Sequence, residues 1–385
     1  MRLSRSLPRM ARLALCALSL AALSAGAQTP AAPSAQPVAS GLRNPWGLAF
    51  LPEGRFLVTE RPGRMRVVEA DGRLGEPLAG LPEVASGGQG GLLDVVLDSG
   101  FAGNRTLYFC FSEPAEGGRG NSTALARARL SEDRTQLQDV RVIFSQKPKV
   151  SSSSHFGCRI VERQVGGKPD GTLFLTLGDR YSRMADAQTL DNHLGKVVRV
   201  GKDGSVPKDN PFVGRAGALP EIWSIGHRNM QGATLGPDGR LWTHEHGPQG
   251  GDEINLPQAG RNYGWPVVTH GENYGGGRIG EGLSEKAGME PALKVWVPSI
   301  APSGMAFLGS ERYGRAWQGS LFIGSLKFSR LHRLQIGADG KTLQEQLVLE
   351  NLGQRVRDVR QGPDGLLYLL TDASNGQLLR LVPGV

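Results

Sequence analysis

The chain has only three cysteines in 385 residues. One of them, Cys16, lies in an apolar stretch near the N-terminus, which leaves Cys110 and Cys158. So few thiols exclude a disulfide-stapled scaffold, and the fold must rest on its core. There is no CxxCH, so no haem is attached through thioethers and electrons would have to leave to another carrier. There is no HExxH and no close cysteine pair, which weakens any zinc reading. Beyond the first residues no segment approaches 18 uninterrupted apolar positions, so no stable membrane insertion of the mature chain is expected. Long stretches of helical periodicity are also scarce.

What is present begins with "MRLSRSLPRMARLALCALSLAALSAGAQTP". A basic start, a short Leu/Ala run and small residues ending in Ala25-Gly26-Ala27 have the layout of a secretory signal peptide. Residues 1–27 are therefore expected to be removed after Ala27, and residues 28–385 to form one catalytic domain in the periplasm or outside the cell. The expected leader carries four of the arginines and no acid, so half of the formal charge of +8 departs with it. The remainder gives no case for a nucleic-acid partner. An oxidising compartment permits a Cys110–Cys158 disulfide, but two buried thiols in strand-like runs satisfy the sequence equally well.

Glycine is abundant, at 55 residues, and one phrase recurs. It reads "PEGRFLV" from Pro52, "PDGTLFL" from Pro169, "PDGRLWT" from Pro237 and "PDGLLYL" from Pro363, with looser copies "GNRTLYF" from Gly103 and "WQGSLFI" from Trp317. Each is a turn signal followed by an apolar, aromatic-rich strand. The first apolar residues, Phe56, Leu107, Leu173, Leu241, Leu321 and Leu367, recur at intervals of 46 to 80 residues. Six strand-rich units at this scale predict an all-β, six-bladed β-propeller with four-stranded antiparallel blades, the alternative being a pair of β-sandwiches. "QPVASGL" near the N-terminus is expected to close the ring as the outer strand of the last blade.

A propeller gathers distant loops around its channel, and several loops here are unusually polar. "HEHGPQGGDEINL" at 244–256 crowds two histidines and three acids among glycines. His244 and His246 alternate as a strand would place them, yet lack further zinc ligands. Calcium, which takes carboxylate and backbone carbonyl oxygens, suits the glycine-rich part better, and a solvated polar turn is the plainer alternative. Arg228, Lys327, Arg355 and Arg357 occupy corresponding places in different repeats, and "RVRD" puts two of them on one strand face. Such cations suit an anionic ligand, with forked hydrogen bonds from arginine to carboxylates.

"GHRNMQG", "HEHGPQGGDEINL" and "GRNYGWP", in that order, resemble the soluble quinoprotein aldose sugar dehydrogenases, which belong with the soluble glucose dehydrogenases that use pyrroloquinoline quinone (PQQ). The resemblance spans nearly the whole expected mature chain. It implies a six-bladed propeller that oxidises the anomeric carbon of an aldose to a lactone, with hydride transfer to PQQ assisted by calcium and electrons passed to an external acceptor. It implies His155 as general base, oriented by Asp179. It implies PQQ contacts at Gln89, Arg228, Asn229, Tyr274, Lys327, Arg355, Arg357 and Thr371. Gly247 and Pro248 match carbonyl ligands of the catalytic calcium, and Glu253 and Tyr263 match a further, structural calcium site. Met230 departs from the proline common in relatives, and Cys158 from glycine, where a cysteine is expected to narrow the substrate pocket. Two other readings use a propeller differently: a calcium-dependent lactonase, which has no use for the four cations, and a non-catalytic carbohydrate-binding propeller, which tolerates loss of His155.

Overall fold

A computed structural model describes residues 32–341 and 343–384; the expected signal peptide at 1–27 lies outside the described residues. Six four-stranded antiparallel sheets follow one another around a ring. Blade 1 comprises Pro45–Phe50, Phe56–Glu60, Arg64–Val68 and Leu74–Pro77; blade 2 comprises Leu92–Leu97, Thr106–Pro114, Asn121–Leu130 and Leu137–Ser145. Blade 3 comprises Gly157–Val165, Lys168–Leu177, Lys196–Gly201 and Ile222–Ile225, and blade 4 Met230–Leu235, Leu241–Glu245, Asp252–Asn255 and Lys294–Trp296. Blade 5 comprises Pro302–Phe307, Leu321–Ser325, Leu331–Ile336 and Leu343–Val348. Blade 6 comprises Val356–Gln361, Leu367–Thr371 and Gly376–Val382, and its outer strand is Ser34–Leu42 from the other end of the chain.

That last pairing runs from Ser34 opposite Val382 to Leu42 opposite Gly376 and joins the two ends of the ring. The six-bladed expectation and the closing strand are thus both observed, and the paired-sandwich alternative is not. Each of the six repeat leucines and phenylalanines lies in the second strand of its blade and is buried. These strands read as nearly continuous apolar runs because neighbouring blades cover both faces; Leu367–Thr371 is buried at all five positions. The recurring turn needs a left-handed residue, which glycine supplies without a Cβ clash, at Gly54 (φ 73°) and Gly365 (φ 79°) for example.

The first strand of every blade touches the first strands of the blades on either side, forming the wall of the channel. Buried charges from opposite sides of the ring meet across it. Arg159 pairs with Asp94 (3.3 Å) and Asp358 (2.9 Å), and Arg360 pairs with the same two carboxylates at 2.7 and 3.0 Å. The Arg159 guanidinium lies 4.0 Å from the Trp46 ring centroid. These residues belong to blades 1, 2, 3 and 6, so the network ties the ring across its middle and makes a rigid floor for loops at its end.

Cys110 and Cys158 form a disulfide between blades 2 and 3, with Cα atoms 5.8 Å apart. The tertiary fold decides between the two alternatives that the sequence left open. It also corrects the expectation for Cys158. The side chain is fully buried among Trp46, Tyr108, Phe156 and Leu177, so it does not narrow a substrate pocket. Met230 is likewise a core residue, packed with Val161, Val197 and Leu241. No helix among the described residues is long and apolar enough to cross a membrane.

Candidate active site

In an antiparallel hairpin the start of the first strand and the end of the second lie at the same end. Gln89, His155, Arg228, Asn229 and Arg355 precede or enter first strands, whereas Asp179, Gly247, Lys327 and Thr371 end or follow second strands. Repetition of the blade therefore brings residues nearly 300 positions apart to one mouth of the channel.

The centre of this mouth is a buried dyad. His155 Nδ1 meets Asp179 Oδ1 at 2.6 Å, and both side chains are almost wholly enclosed. His155 sits in the left-handed region (φ 52°), held there because its N–H donates to Gln89 Oε1 (2.8 Å). Asp179 receives three hydrogen bonds: from the histidine, from Tyr181 N (2.8 Å) and from the Trp265 indole Nε1 to Oδ2 (2.8 Å). Its own N–H donates to the Arg228 carbonyl, linking blade 3 to blade 4 (2.9 Å). Burial lowers the His155 pKa below 6.5; Asp179 opposes this, and the charges of Arg228 and Arg180 add to it. The imidazole is therefore neutral near pH 7. With Nδ1 committed to a carboxylate, Nε2 is the nitrogen left to accept a proton.

The cations form two groups, of which Arg228 bears directly on the dyad. Arg228 is buried with its guanidinium 5.2 Å from the Trp265 ring centroid, and it donates to the carbonyls of His246 (3.0 Å) and Gly247 (2.8 Å). Arg357 is buried and Arg355 half-exposed; both bond Asp372 Oδ2, at 3.1 and 2.9 Å. Arg357 also donates to Gln231 Oε1 (3.3 Å), and the Gln231 amide donates to Asn229 Oδ1 (3.1 Å), placing Asn229 in the same cluster. The Nε atoms of Arg228 and Arg357 are enclosed and lack any acceptor. Buried guanidinium N–H groups without partners are costly, so an anionic ligand with several oxygens fits here. Lys327 is exposed, and Tyr274, with 62% of its surface exposed, stands on the 272–277 loop, so neither is held in this cluster. Thr371 is fully buried and its hydroxyl accepts from Gln377 N (2.9 Å).

The acidic stretch forms a second arrangement beside the first. Glu245 and Glu253 stand directly opposite each other on adjacent strands, where like charges repel. Asn255 Nδ2 bridges them (3.0 and 3.3 Å), and Asn255 Oδ1 is buried without a partner. Burial, and then the Glu245 charge, push the Glu253 pKa up to about 8, against the lowering hydrogen bond from Asn255. Arg228, Glu245, Gly247, Glu253 and Trp265 line a cavity of about 10 Å³, roughly the space of one water molecule or bare ion. Two facing carboxylates, an orphaned amide oxygen and a cavity of this size fit a hard cation. Gly247 is one of its lining residues, and Pro248, next in the chain, is also buried. Tyr263 turns its hydroxyl away: it donates to the Leu256 carbonyl (2.5 Å) and accepts from Gln258 N (3.0 Å). Its ring stacks on His227 (4.9 Å), whose Nδ1 meets Glu245, so a metal ligand from Tyr263 would be its backbone carbonyl.

His246 is not arranged for zinc. Its Nε2 donates to the Pro302 carbonyl (2.6 Å), and burial lowers its pKa to about 4. No group of three or more His, Cys, Asp or Glu among the described residues is placed to hold a metal. Sequence reasoning missed Asp372, Glu245 and Trp265 as members of the site. Asp372 follows Thr371 in the chain, and the other two lie inside motifs already quoted, but their partners come from other loops.

Residues 42–380 match the Glucose / Sorbosone dehydrogenase family. The chain is 45% identical over 357 residues to the aldose sugar dehydrogenase YliI of Escherichia coli, an alignment covering 92% of this chain and 94% of the relative. The crystal structure of the soluble aldose sugar dehydrogenase from Escherichia coli in the apo-form superposes with a TM-score of 0.85 at 43% identity, covering 91% of this chain and 99% of that one. A PQQ-bound aldose sugar dehydrogenase from Streptomyces coelicolor superposes with a TM-score of 0.73 at 29% identity, covering 91% and 99%.

Proposed function

The chain belongs to the glucose/sorbosone dehydrogenase family, and from that premise we propose that it is a PQQ- and calcium-dependent aldose sugar dehydrogenase, oxidising the anomeric carbon of an aldose to a lactone. The observation that carries this reading is the His155–Asp179 dyad enclosed beside the buried Arg228, at the channel mouth where Arg228 and Arg357 both carry orphaned N–H groups. A lactonase has no need of those cations, and a carbohydrate-binding module has no need of an oriented neutral imidazole.

His155 Nε2 takes the proton of the anomeric hydroxyl, and Asp179 stabilises the imidazolium that results. Trp265 and Tyr181 N hold the carboxylate so that it cannot rotate away from the ring. Arg228, Arg355 and Arg357 would bind and orient the carboxylates of the cofactor, the last two steadied by their pairing with Asp372. The Gly247 and Pro248 carbonyls would hold the catalytic calcium, and Glu253, facing Glu245, would hold a further, structural one with the Tyr263 carbonyl. When bound, PQQ supplies a quinone carbonyl that accepts a hydride and calcium supplies Lewis acidity. The apolar, arginine-led N-terminal stretch and the Cys110–Cys158 disulfide support a periplasmic or secreted enzyme.

Metal-stripped protein tests this directly. Aldose-dependent dye reduction is expected only with both PQQ and calcium; activity with a nicotinamide cofactor alone, or lactone hydrolysis without quinone, overturns the reading. Arg228→Ala is expected to weaken PQQ affinity by roughly 10- to 150-fold, since a hydrogen bond to a charged group is worth about 1.5–3 kcal/mol. Fluorescence titration of the apoprotein measures this, with Arg315→Ala as control because that side chain is 88% exposed. Equal affinities for the two variants remove Arg228 from the cofactor site.

A further inference from the structure

Two residues directly after Asp179 both occupy the left-handed region: Arg180 at φ 59° and Tyr181 at φ 66°. Consecutive non-glycine residues in that region are strained, and such strain persists only where the surroundings impose it. Here they do. The Arg180 side chain is completely buried, stacks on the Phe156 ring at 3.8 Å, and donates to the carbonyls of Ser154 (3.0 Å) and Asn121 (3.1 Å). Ser152 Oγ donates to the Arg180 carbonyl (2.8 Å), and Tyr181 N is held by Asp179 Oδ1. All of this fixation serves the backbone. The Tyr181 side chain, by contrast, is 55% exposed, with its ring centroid 5.3 Å from that of His155 at an interplanar angle of 78°. A large ring thus stands on a fixed backbone beside His155 without being used to fill the core.

We propose that Tyr181 is a sugar-stacking platform, presenting its ring to the apolar C–H face of an aldopyranose whose anomeric hydroxyl lies on His155. This rests on the aldose reading above and names a residue that selects substrate by ring shape. An amphipathic ring exposed over about half its surface suits a ligand that is apolar on one face and hydroxylated at its rim. A pyranose reacting at the imidazole has its ring within van der Waals reach of the phenol, because the two side chains are in edge contact. The contact uses the ring and not the hydroxyl. Tyr181 acts by binding and positioning; the proton transfer stays with His155.

The test uses the full chain loaded with PQQ and calcium, with D-glucose as probe. Tyr181→Gly removes the ring and accepts the positive φ, so it should fold at least as well as wild type. Saturation-transfer NMR is expected to show the D-glucose Kd raised about tenfold in Tyr181→Gly, and steady-state kinetics a matching rise in KM with a much smaller change in kcat. Tyr181→Phe, which keeps the ring, should stay within about twofold of wild type in Kd. An unchanged Kd in Tyr181→Gly overturns the platform, as does a wild-type protein that does not bind the sugar. A wild type that binds D-glucose but does not oxidise it contradicts the proposed reaction and leaves the platform standing if Tyr181→Gly loses that binding. Oxidation with equal KM in both proteins does the reverse.

Discussion

His155→Ala is expected to lower aldose turnover by roughly 10²–10⁴-fold, the range for removal of a positioned general base. PQQ affinity and melting temperature should stay close to wild type. The imidazole bonds Asp179 at the mouth of the channel, and the blade cores do not depend on it. The pH profile provides an independent check. The active form is the neutral imidazole, and burial, reinforced by Arg228 and Arg180, lowers its pKa from 6.5 against the opposing pull of Asp179. The acid limb of turnover should therefore lie below the position expected for an ordinary imidazole of pKa 6.5. Asp179→Asn removes the opposing pull, so its acid limb should move lower still, while turnover drops because Nδ1 loses the acceptor that fixed the tautomer. A His155→Ala enzyme with wild-type turnover would exclude this residue as the base even if the cofactor assignment stands.

The second large effect concerns Glu253 and has opposite signs with and without metal. In metal-free protein the folded state holds a proton on Glu253 up to about pH 8, whereas the unfolded chain releases it near the ordinary 4.5. A raised folded pKa means stability that is present at low pH and lost as pH rises through that window. Metal-free wild type should therefore melt at progressively lower temperature between pH 4.5 and 8. In the proposed reading calcium would take the place of the proton between Glu245 and Glu253, so its stabilising effect should grow over the same window. At a calcium concentration of about 1,000 Kd the gain is about 4 kcal/mol. Glu253→Gln removes the repulsion and the ligand together. At pH 8 it should be more stable than wild type in a chelator and less stable in calcium. Thermal unfolding of both proteins across a pH and calcium series measures this, and parallel curves would show the pair to be no more than a strained polar turn.

The sequence by itself determined the fold. Six copies of a turn followed by an apolar strand are local signals, since proline and glycine set the turn angles within each copy, and the count carried directly to six blades. The closing strand was legible for the same reason: "QPVASGL" had no other blade to join. Much of the site was legible too, because repetition places equivalent positions at one end of the channel, so that Arg228, Arg355 and Arg357 could be grouped before their partners were known. Only the tertiary structure decided the pairings. Asp372 beneath two arginines, Trp265 on Asp179, and Glu245 opposite Glu253 each depend on loop paths and strand register, and a shift of one residue would put these side chains on the other face. Cys158 shows the same limit. Its neighbourhood in the chain placed it beside the base and suggested a pocket wall, but the bulged start of the inner strand of blade 3 turns it into the core against Cys110. Burial, which keeps His155 neutral and raises the Glu253 pKa, is a property of everything packed around those groups, and no short stretch of sequence contains it.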